Sequence, residues 1–157
     1  MRIGFGTDIH RLVAGRLLVI GGVAIESDLG ADGHSDADVL MHAAADAVLG
    51  ALARGDLGSH FPNDEERWRD AESSQFLRYA VELANESGYC VGNLDAVVHL
   101  ERPKLRPYMD SMRANLADAL GVSIDQVSVK AKTGEGVDAV GERRAVSAQS
   151  IVLLVRT

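Results

Sequence analysis

Apolar residues recur along the chain with periods of two and of about 3.6, which predicts strands that alternate with helices. The apolar positions predict five strand segments, over residues 3–8, 17–25, 91–100, 127–131 and 145–155, with Gly21-Gly22 interrupting the second. They also predict three helices: one that begins at Ser35, one over residues 73–87 and one over residues 109–120. This order favours an α/β or α+β fold, in which one mixed sheet of four to five strands is covered on one face by helices.

The first helix has the clearest pattern of the three. Ser35 is a favourable N-cap, and the carboxylates of Asp36 and Asp38 in the first turn suit the positive end of the helix dipole. An apolar stripe at helical spacing follows, formed by Val39, Leu40, Ala43, Ala47, Val48 and Leu52. Gly55 is expected to end this segment, and residues 59–70 are expected to form a surface loop.

Length and composition restrict the class of protein. A chain of 157 residues, with 46% hydrophobic and 25% charged residues, is typical of one globular domain, which we expect over residues 1–157. No apolar run reaches the ~20 residues that a membrane span needs, and no secretory signal is recognisable, so no membrane partner is expected. Cys90 is the only cysteine, which excludes an intrachain disulfide and favours a reducing, cytoplasmic setting.

The charge balance constrains the ligand. The net charge is −7, and no cluster of Lys and Arg is present, so a nucleic-acid partner is not expected. A phosphorylated ligand would need metal ions and backbone N–H groups at helix starts to offset its negative charge.

Asp8, His10 and His42 are candidate metal ligands. Asp8 and His10 are two apart on a predicted strand and therefore point to the same side, although a strand-end Asp beside an exposed His is a simpler explanation. His42 shares one face of the first helix with Asp38 and Asp46, which is also typical of a solvated helix face. Three of the five histidines fall within the first 42 residues beside carboxylates, and a zinc site built from one carboxylate and two imidazoles needs this supply.

Three further segments carry polar groups that suit a ligand. The glycines of residues 55–62 allow close approach of a backbone, and Asp56 can accept hydrogen bonds from a sugar-like hydroxyl. Residues 130–136 combine two lysines, a threonine and Glu135, which suits a phosphate with a hard cation. Residues 102–107 suit a base or a phosphate. Taken alone, each segment is also typical of an ordinary polar turn, which is the more common meaning of a pattern such as residues 130–136.

Taken together and in order, these motifs resemble the 2-C-methyl-D-erythritol 2,4-cyclodiphosphate synthase family of the non-mevalonate isoprenoid pathway. The resemblance covers the whole chain and rests on Gly4-Phe5-Gly6-Thr7-Asp8-Ile9-His10-Arg11, Ile20-Gly21-Gly22-Val23, Gly33-His34-Ser35-Asp36-Ala37-Asp38 with His42, Gly55-Asp56-Leu57-Gly58 with Phe61-Pro62, Gly92-Asn93-Leu94-Asp95, Arg102-Pro103-Lys104 and Lys130-Ala131-Lys132-Thr133 with Glu135. It implies a lyase that assembles as a homotrimer, with active sites at the subunit interfaces.

The resemblance also assigns roles to individual residues. It implies one Zn²⁺ per subunit, held by Asp8, His10 and His42, and a second divalent cation, Mg²⁺ or Mn²⁺, on Glu135. His34 and Thr133 match positions that steady the reacting phosphates. The implied contacts with the substrate are Ser35, Asp56, Leu57, Gly58, Phe61, Pro62, Asn63, Asp64, Leu100, Glu101, Arg102, Pro103, Lys104, Leu105, Arg106, Ala131, Lys132 and Gly134, with the cytidine side donated by the neighbouring subunit.

The implied reaction is an intramolecular phosphoryl transfer. The 2-phosphate of 4-diphosphocytidyl-2-C-methyl-D-erythritol 2-phosphate attacks the β-phosphorus, a cyclic diphosphate forms and CMP leaves. Both reacting groups are negatively charged, so two cations would offset their repulsion and hold an in-line geometry. Two other functions use the same donors: a zinc-dependent phosphohydrolase, and a non-catalytic subunit that binds a metal or an isoprenoid diphosphate.

Several positions depart from the family's commonest pattern. Asn63 stands where an Asp is common, and Lys132 and Gly134 replace threonines. Thr7 and the segment Gly141-Glu142-Arg143-Arg144 differ near the threefold axis of the family, so the ligand of a central cavity is not carried over to this chain.

Overall fold

A computed structural model describes residues 1–62, 68 and 71–157, and these residues form a mixed sheet with helices on one face. The strands are β1 (Arg2–Ala14), β2 (Leu18–Ile20), β3 (Val23–Ile25), β4 (Leu29–Ala31), β5 (Tyr89–His99), β6 (Val127–Lys132) and β7 (Ala145–Arg156). The helices are α1 (Val39–Ala51), α2 (Leu57–His60), α3 (Ser74–Glu86), α4 (Met109–Leu120) and α5 (Asp138–Gly141), with short 3₁₀ turns before α4 and before β6.

Within the described residues, five strands form the main sheet in the order β4-β1-β7-β5-β6. Only β5 and β6 are parallel, and all other neighbours are antiparallel, so the sheet is mixed as predicted. Strands β2 and β3 form a separate hairpin. Its turn is Gly21-Gly22, where both residues have positive φ angles (59° and 69°), the backbone that a tight hairpin turn requires.

The close approach of α1 to β1 depends on two glycines. Ile3 and Phe5 point to the open face of the sheet, whereas Gly4 and Gly6 point towards α1. A Cβ atom on Gly4 would lie 1.8 Å from the carbonyl oxygen of Ala47, so no side chain fits there. Because side chains alternate along a strand, Asp8 and His10 point to the same helix-covered side as these glycines.

The beginning of α1 differs from the prediction. Asp38, not Ser35, is the N-cap, because its carboxylate accepts hydrogen bonds from the N–H groups of Leu40 and Met41. The same carboxylate also accepts the N–H groups of the hairpin turn at Gly21 and Gly22, so Asp38 is buried rather than part of a polar helix face. Asp36 therefore lies before the helix and not in its first turn.

The other helices agree more closely with the predictions. The second predicted helix is α3, and the third is α4, which ends at Gly121 with a left-handed φ of 68°. The predicted loop over residues 59–70 is wrong at its start, because residues 59 and 60 belong to α2; residues 63–67, 69 and 70 lie outside the described part. None of the described helices is long and apolar enough to cross a membrane.

The sheet face opposite the helices carries exposed apolar side chains. Ile3, Phe5 and Ile9 of β1 are 59–72% exposed, and Ile151 of β7 is 50% exposed. The alternate residues of β7 are buried beneath α1, so the second half of this strand carries apolar side chains on both faces. An exposed apolar surface of this kind is typical of an interface.

Candidate metal centre

Asp8, His10 and His42 bring three donor atoms together between β1 and α1. Asp8 Oδ2 lies 2.9 Å from His10 Nε2 and 3.0 Å from His42 Nδ1, and the two nitrogens are 3.2 Å apart. The side chains are mostly shielded from water, with exposures of 25%, 17% and 11%. Asp8, His10 and His42 are the group of acidic, His and Cys side chains, among the residues that the structure describes, whose donor atoms lie close enough together to bind one metal ion.

The chemistry of this donor set fits a tetrahedral metal ion. His10 Nδ1 lies 3.1 Å from the carbonyl oxygen of Asp32, which can only accept a hydrogen bond, so the neutral ring carries its hydrogen there and directs the Nε2 lone pair inward. Bonds of 2.0–2.1 Å to a tetrahedral zinc give ligand–ligand distances of about 3.3 Å, close to those observed. A cation satisfies the converging lone pairs of all three residues.

Electrostatics keep Asp8 ionised. Burial alone would raise the pKa of Asp8, but when no metal ion is bound the neighbouring His10 and His42 rings stabilise its negative charge and lower this pKa well below its usual range. Burial also disfavours the charged form of His10 and would lower its pKa, but when no metal ion is bound the hydrogen bond and charge of Asp8 outweigh burial and raise the pKa. Asp8 therefore carries a negative charge at neutral pH and can serve as an anionic metal donor.

A cavity of about 450 Å³ opens beside the three donors. It is lined by the predicted catalytic residue His34 and by the predicted substrate contacts Ser35, Asp56, Leu57, Gly58 and Phe61. Pro62 is not among its lining residues, and the predicted contacts Asn63 and Asp64 lie outside the described residues.

Asp56 is positioned by the first turn of α2. Its Oδ1 accepts the N–H and the hydroxyl of Ser59, at 2.9 and 2.6 Å, and these hydrogen bonds lower the pKa of Asp56. Asp46 on α1 accepts the N–H of Leu57 at 2.7 Å and so holds the start of α2 against the cavity. The helical spacing predicts that Asp46 shares a face with His42, but it indicates no role for Asp46 in the site.

The remaining predicted residues form a second group at the carboxyl ends of β5 and β6. The two strands are parallel, so the segments that follow them lie side by side: the N–H of Leu100 donates to the carbonyl of Lys132, and that of Gly134 donates to Glu101. Thr133 donates its hydroxyl to Glu135, which has a left-handed φ of 52°. None of these residues lines the cavity beside Asp8.

Within this second group, Arg102, Pro103 and Lys104 line a shallow depression with Asp28 and Arg143. The predicted contacts Leu100 and Leu105 are buried in the core, so only their backbone atoms can reach a ligand. The predicted contacts Arg106, Ala131 and Lys132 are exposed residues at the same edge. One chain thus presents the predicted site as two separate halves.

Two residues behind His42 are outside the predicted set. His42 Nε2 lies 2.8 Å from the hydroxyl of Ser73, and Ser73 in turn donates to Asp36. Ser73 was assigned to the start of a helix, and its contact with His42 joins residues 31 positions apart. No periodicity in the sequence indicates such a contact.

Comparisons with known proteins confirm the resemblance seen in the sequence. Residues 1–155 match the YgbB family. The chain is 57% identical over 150 residues to a 2-C-methyl-D-erythritol 2,4-cyclodiphosphate synthase of Salinibacter ruber (96% of each chain), and 50% identical over 155 residues to one of Trichlorobacter lovleyi (99% of each). A solved structure of 2C-methyl-D-erythritol-2,4-cyclodiphosphate synthase in a CDP-bound form has a TM-score of 0.91 at 40% identity, covering 98% of this chain and 100% of that one. The chain therefore belongs to the YgbB family, together with these cyclodiphosphate synthases.

Proposed function

We propose that this protein converts 4-diphosphocytidyl-2-C-methyl-D-erythritol 2-phosphate into 2-C-methyl-D-erythritol 2,4-cyclodiphosphate and CMP. An oxygen of the 2-phosphate forms a bond to the β-phosphorus, the bond from that phosphorus to the bridging oxygen of CMP breaks, and CMP leaves with the electron pair. The observation that carries this proposal is the convergence of Asp8, His10 and His42 on the wall of a cavity that also presents His34 and Asp56. The full-length relatives named above support it.

Zn²⁺ is the metal that best suits the three donors, with one ion per subunit. One carboxylate and two imidazoles are a common zinc set, and Asp8, His10 and His42 would hold the ion at the wall of the cavity. When bound, the ion supplies positive charge to the phosphate oxygens. Asp8 contributes the anionic ligand, and His10 and His42 supply two neutral nitrogens, so the site keeps a net positive charge next to the substrate.

His34 and Asp56 act on opposite parts of the substrate. His34 lines the cavity beside the metal ligands, where its ring donates a hydrogen bond to a phosphate oxygen and steadies it for attack. Asp56 and the N–H group of Gly58 bind the polyol hydroxyls. Holding a flexible polyol in a ring-closing conformation contributes to the rate by bringing the two phosphates together. The 2-phosphate is already anionic, so no general base is needed.

The second half of the site, around Thr133 and Glu135, must come from another copy of the chain. The pairing register places Asp8, Ala148, Val98 and Ala131 in one row across the sheet. Three strand spacings separate the ends of this row, or about 14 Å, which is too far for a single diphosphate to span. An assembly of copies closes this gap by placing the Glu135 loop of one subunit against the cavity of the next.

A homotrimer is the assembly we propose, with the exposed face of β1 and β7 as its contact surface. Ile3, Phe5, Ile9 and Ile151 supply the apolar area that such an interface needs. Light scattering at micromolar concentration is expected to give three times the chain mass. A monomer mass would contradict both the assembly and a shared active site.

Within the shared site, we propose that Glu135 holds Mg²⁺ or Mn²⁺ together with phosphate oxygens, and that Thr133 contacts the same phosphates. A carboxylate, phosphate oxygens and water are the ligands that a hard cation prefers. The segments after β5 and β6 hold the cytidine through backbone groups. The hydrogen bonds that join Leu100 to Lys132 and Glu101 to Gly134 support this role, because they make the two segments one rigid edge.

Product analysis tests the proposed function directly. The protein is incubated with the cytidine substrate, Zn²⁺ and Mg²⁺, and the products are followed by ³¹P NMR. We expect equal amounts of CMP and a cyclic diphosphate. Release of inorganic phosphate would instead indicate the zinc-dependent phosphohydrolase, and no turnover would indicate the non-catalytic binding subunit. His42→Ala is expected to remain folded and to lose both zinc and product formation.

A further inference from the structure

The imidazole of His42 is held from behind by a buried chain of hydrogen bonds. Its Nε2 lies 2.8 Å from Ser73 Oγ, on the opposite side of the ring from the nitrogen that faces Asp8. Ser73 Oγ donates to Asp36 Oδ1, and the N–H of Ser73 donates to Asp36 Oδ2 at 3.1 Å. Ser73 is fully buried, and the N–H of Asp36 donates to Ala71, so the two segments are fastened together.

The direction of these hydrogen bonds determines where His42 carries its hydrogen. A carboxylate oxygen only accepts, so the Ser73 hydroxyl must give its single hydrogen to Asp36. Ser73 Oγ then has only lone pairs for His42, and Nε2 must be the nitrogen that donates. The hydroxyl of Ser35 is more distant from Nε2, at 3.3 Å, and is the weaker partner. His42 Nδ1 consequently holds a lone pair that points at Asp8 and His10.

The role of Ser73 in the helix does not explain this arrangement. Ser73 occupies the N-cap position of α3, where a serine hydroxyl usually accepts a helix N–H. Here its backbone is already helical, with φ −64° and ψ −16°, and its side chain makes no capping hydrogen bond. The hydroxyl therefore forgoes the usual capping hydrogen bond and instead links Asp36 to His42.

We infer that Asp36 and Ser73 are positioning residues that fix the tautomer and ring orientation of His42 as a metal ligand. This inference rests on the metal site of the proposed function. Without the Ser73 hydroxyl, the ring can rotate, and it can also carry its hydrogen on Nδ1, which then cannot bind a metal. Loss of a partner of this kind typically weakens metal binding by about 10–100-fold.

The experiment compares Ser73→Ala with Ser150→Ala at one pH. Ser150 is a matched control, since its hydroxyl is also buried and has no hydrogen-bond partner within the described part of the chain. Zinc affinity is measured by competition with a chromophoric chelator. We expect Ser73→Ala to bind zinc about 10–100-fold more weakly than the wild type, and Ser150→Ala to bind like the wild type. Asp36→Asn, which keeps an acceptor for Ser73 but removes the charge, should fall between them.

Long-range ¹H–¹⁵N correlation spectra of the imidazoles report which ring nitrogen carries the hydrogen. This signal would not change if Ser73 only stabilised the fold. Wild-type His42 is expected to show a hydrogen on Nε2 that exchanges slowly with water, with and without zinc. Ser73→Ala should lose this protected signal while its circular dichroism spectrum remains unchanged. Unchanged zinc affinity together with an unchanged signal would overturn the inference. If the wild type itself bound no zinc, the metal assignment would fail instead, and the zinc-free wild-type spectrum would still decide whether Nε2 carries the hydrogen.

Discussion

Replacing Gly6 by alanine tests whether the contact between β1 and α1 builds the metal centre. A Cβ atom at this position would lie 2.1 Å from the carbonyl oxygen of Ala43 and 2.5 Å from the backbone nitrogen of Ala47. Both are helix backbone atoms, so no change of side-chain rotamer relieves the overlap. The only relief is movement of α1 away from the sheet, and α1 carries His42 one residue before Ala43.

The size of the effect follows from the distances. Normal carbon–oxygen contact requires α1 to move by about 1 Å, and overpacking of a core by added methyl groups typically costs 1–3 kcal/mol. Because both overlapping atoms belong to the backbone of α1, we expect a loss of about 3 kcal/mol in the free energy of unfolding, at the upper end of this range. Functional sites tolerate displacements of only about 0.5 Å, so zinc affinity should also fall by at least about tenfold.

Gly50→Ala is the matched control, because it places the same methyl group on α1 with ordinary contacts. Its Cβ would lie 3.6 Å from the nearest atom, the carbonyl oxygen of Phe5, and alanine is favoured over glycine in a helix by roughly 0.5–1 kcal/mol. Urea unfolding of chelator-treated protein, at one fixed protein concentration, measures both variants. We expect opposite shifts of the midpoint. Equal shifts, or wild-type zinc affinity in Gly6→Ala, would refute the reasoning.

Three further substitutions test separate parts of the structure. Asp38→Ala leaves four backbone N–H donors without their acceptor, among them those of Gly21 and Gly22. This change should lower the free energy of unfolding by about 3 kcal/mol or more in the same urea assay. Asp38→Asn keeps an acceptor oxygen and should lower it less. Glu135→Gln should keep zinc but require much more Mg²⁺ for turnover; superimposable titrations of rate against Mg²⁺ would exclude a metal role for Glu135. Burial raises the pKa of Asp46 above 3.8, so its ionisation opposes folding; zinc-free Asp46→Asn should be more stable than the wild type at pH 7, with the difference vanishing below about pH 3.8.

The three candidate metal donors were predictable because they follow local periodicities. The spacing of two puts Asp8 and His10 on one side of a strand, and the apolar stripe of the first helix leaves His42 outside it. Local sequence patterns do not specify the distance between β1 and α1. That distance depends on Gly4 and Gly6, whose missing side chains matter only because α1 lies against them.

The N-cap of α1 shows why local preference alone can choose the wrong residue. Ser35 and Asp38 are both favourable N-caps and lie three residues apart, so the sequence offers two starts for one helix. The structure selects Asp38 because its carboxylate also binds the turn between β2 and β3, 16 and 17 residues earlier in the chain. The short elements β4 and α5 were missed for a related reason: each is only three or four residues long, too short for a period to emerge.

The acidity of the chain has a counterpart in the cavity itself. Asp8, Asp32, Asp46 and Asp56 all line it, and no lysine or arginine is among its described lining residues. Carboxylates at this density repel phosphates, so this wall can accept a polyanion only when cations occupy the donor sites. The same carboxylates are strong acceptors for hydroxyl groups. The cavity therefore treats the two parts of the substrate differently. Its acidic wall favours the polyol, whereas the phosphate groups of the substrate bind only where a metal ion reverses the sign of the local charge.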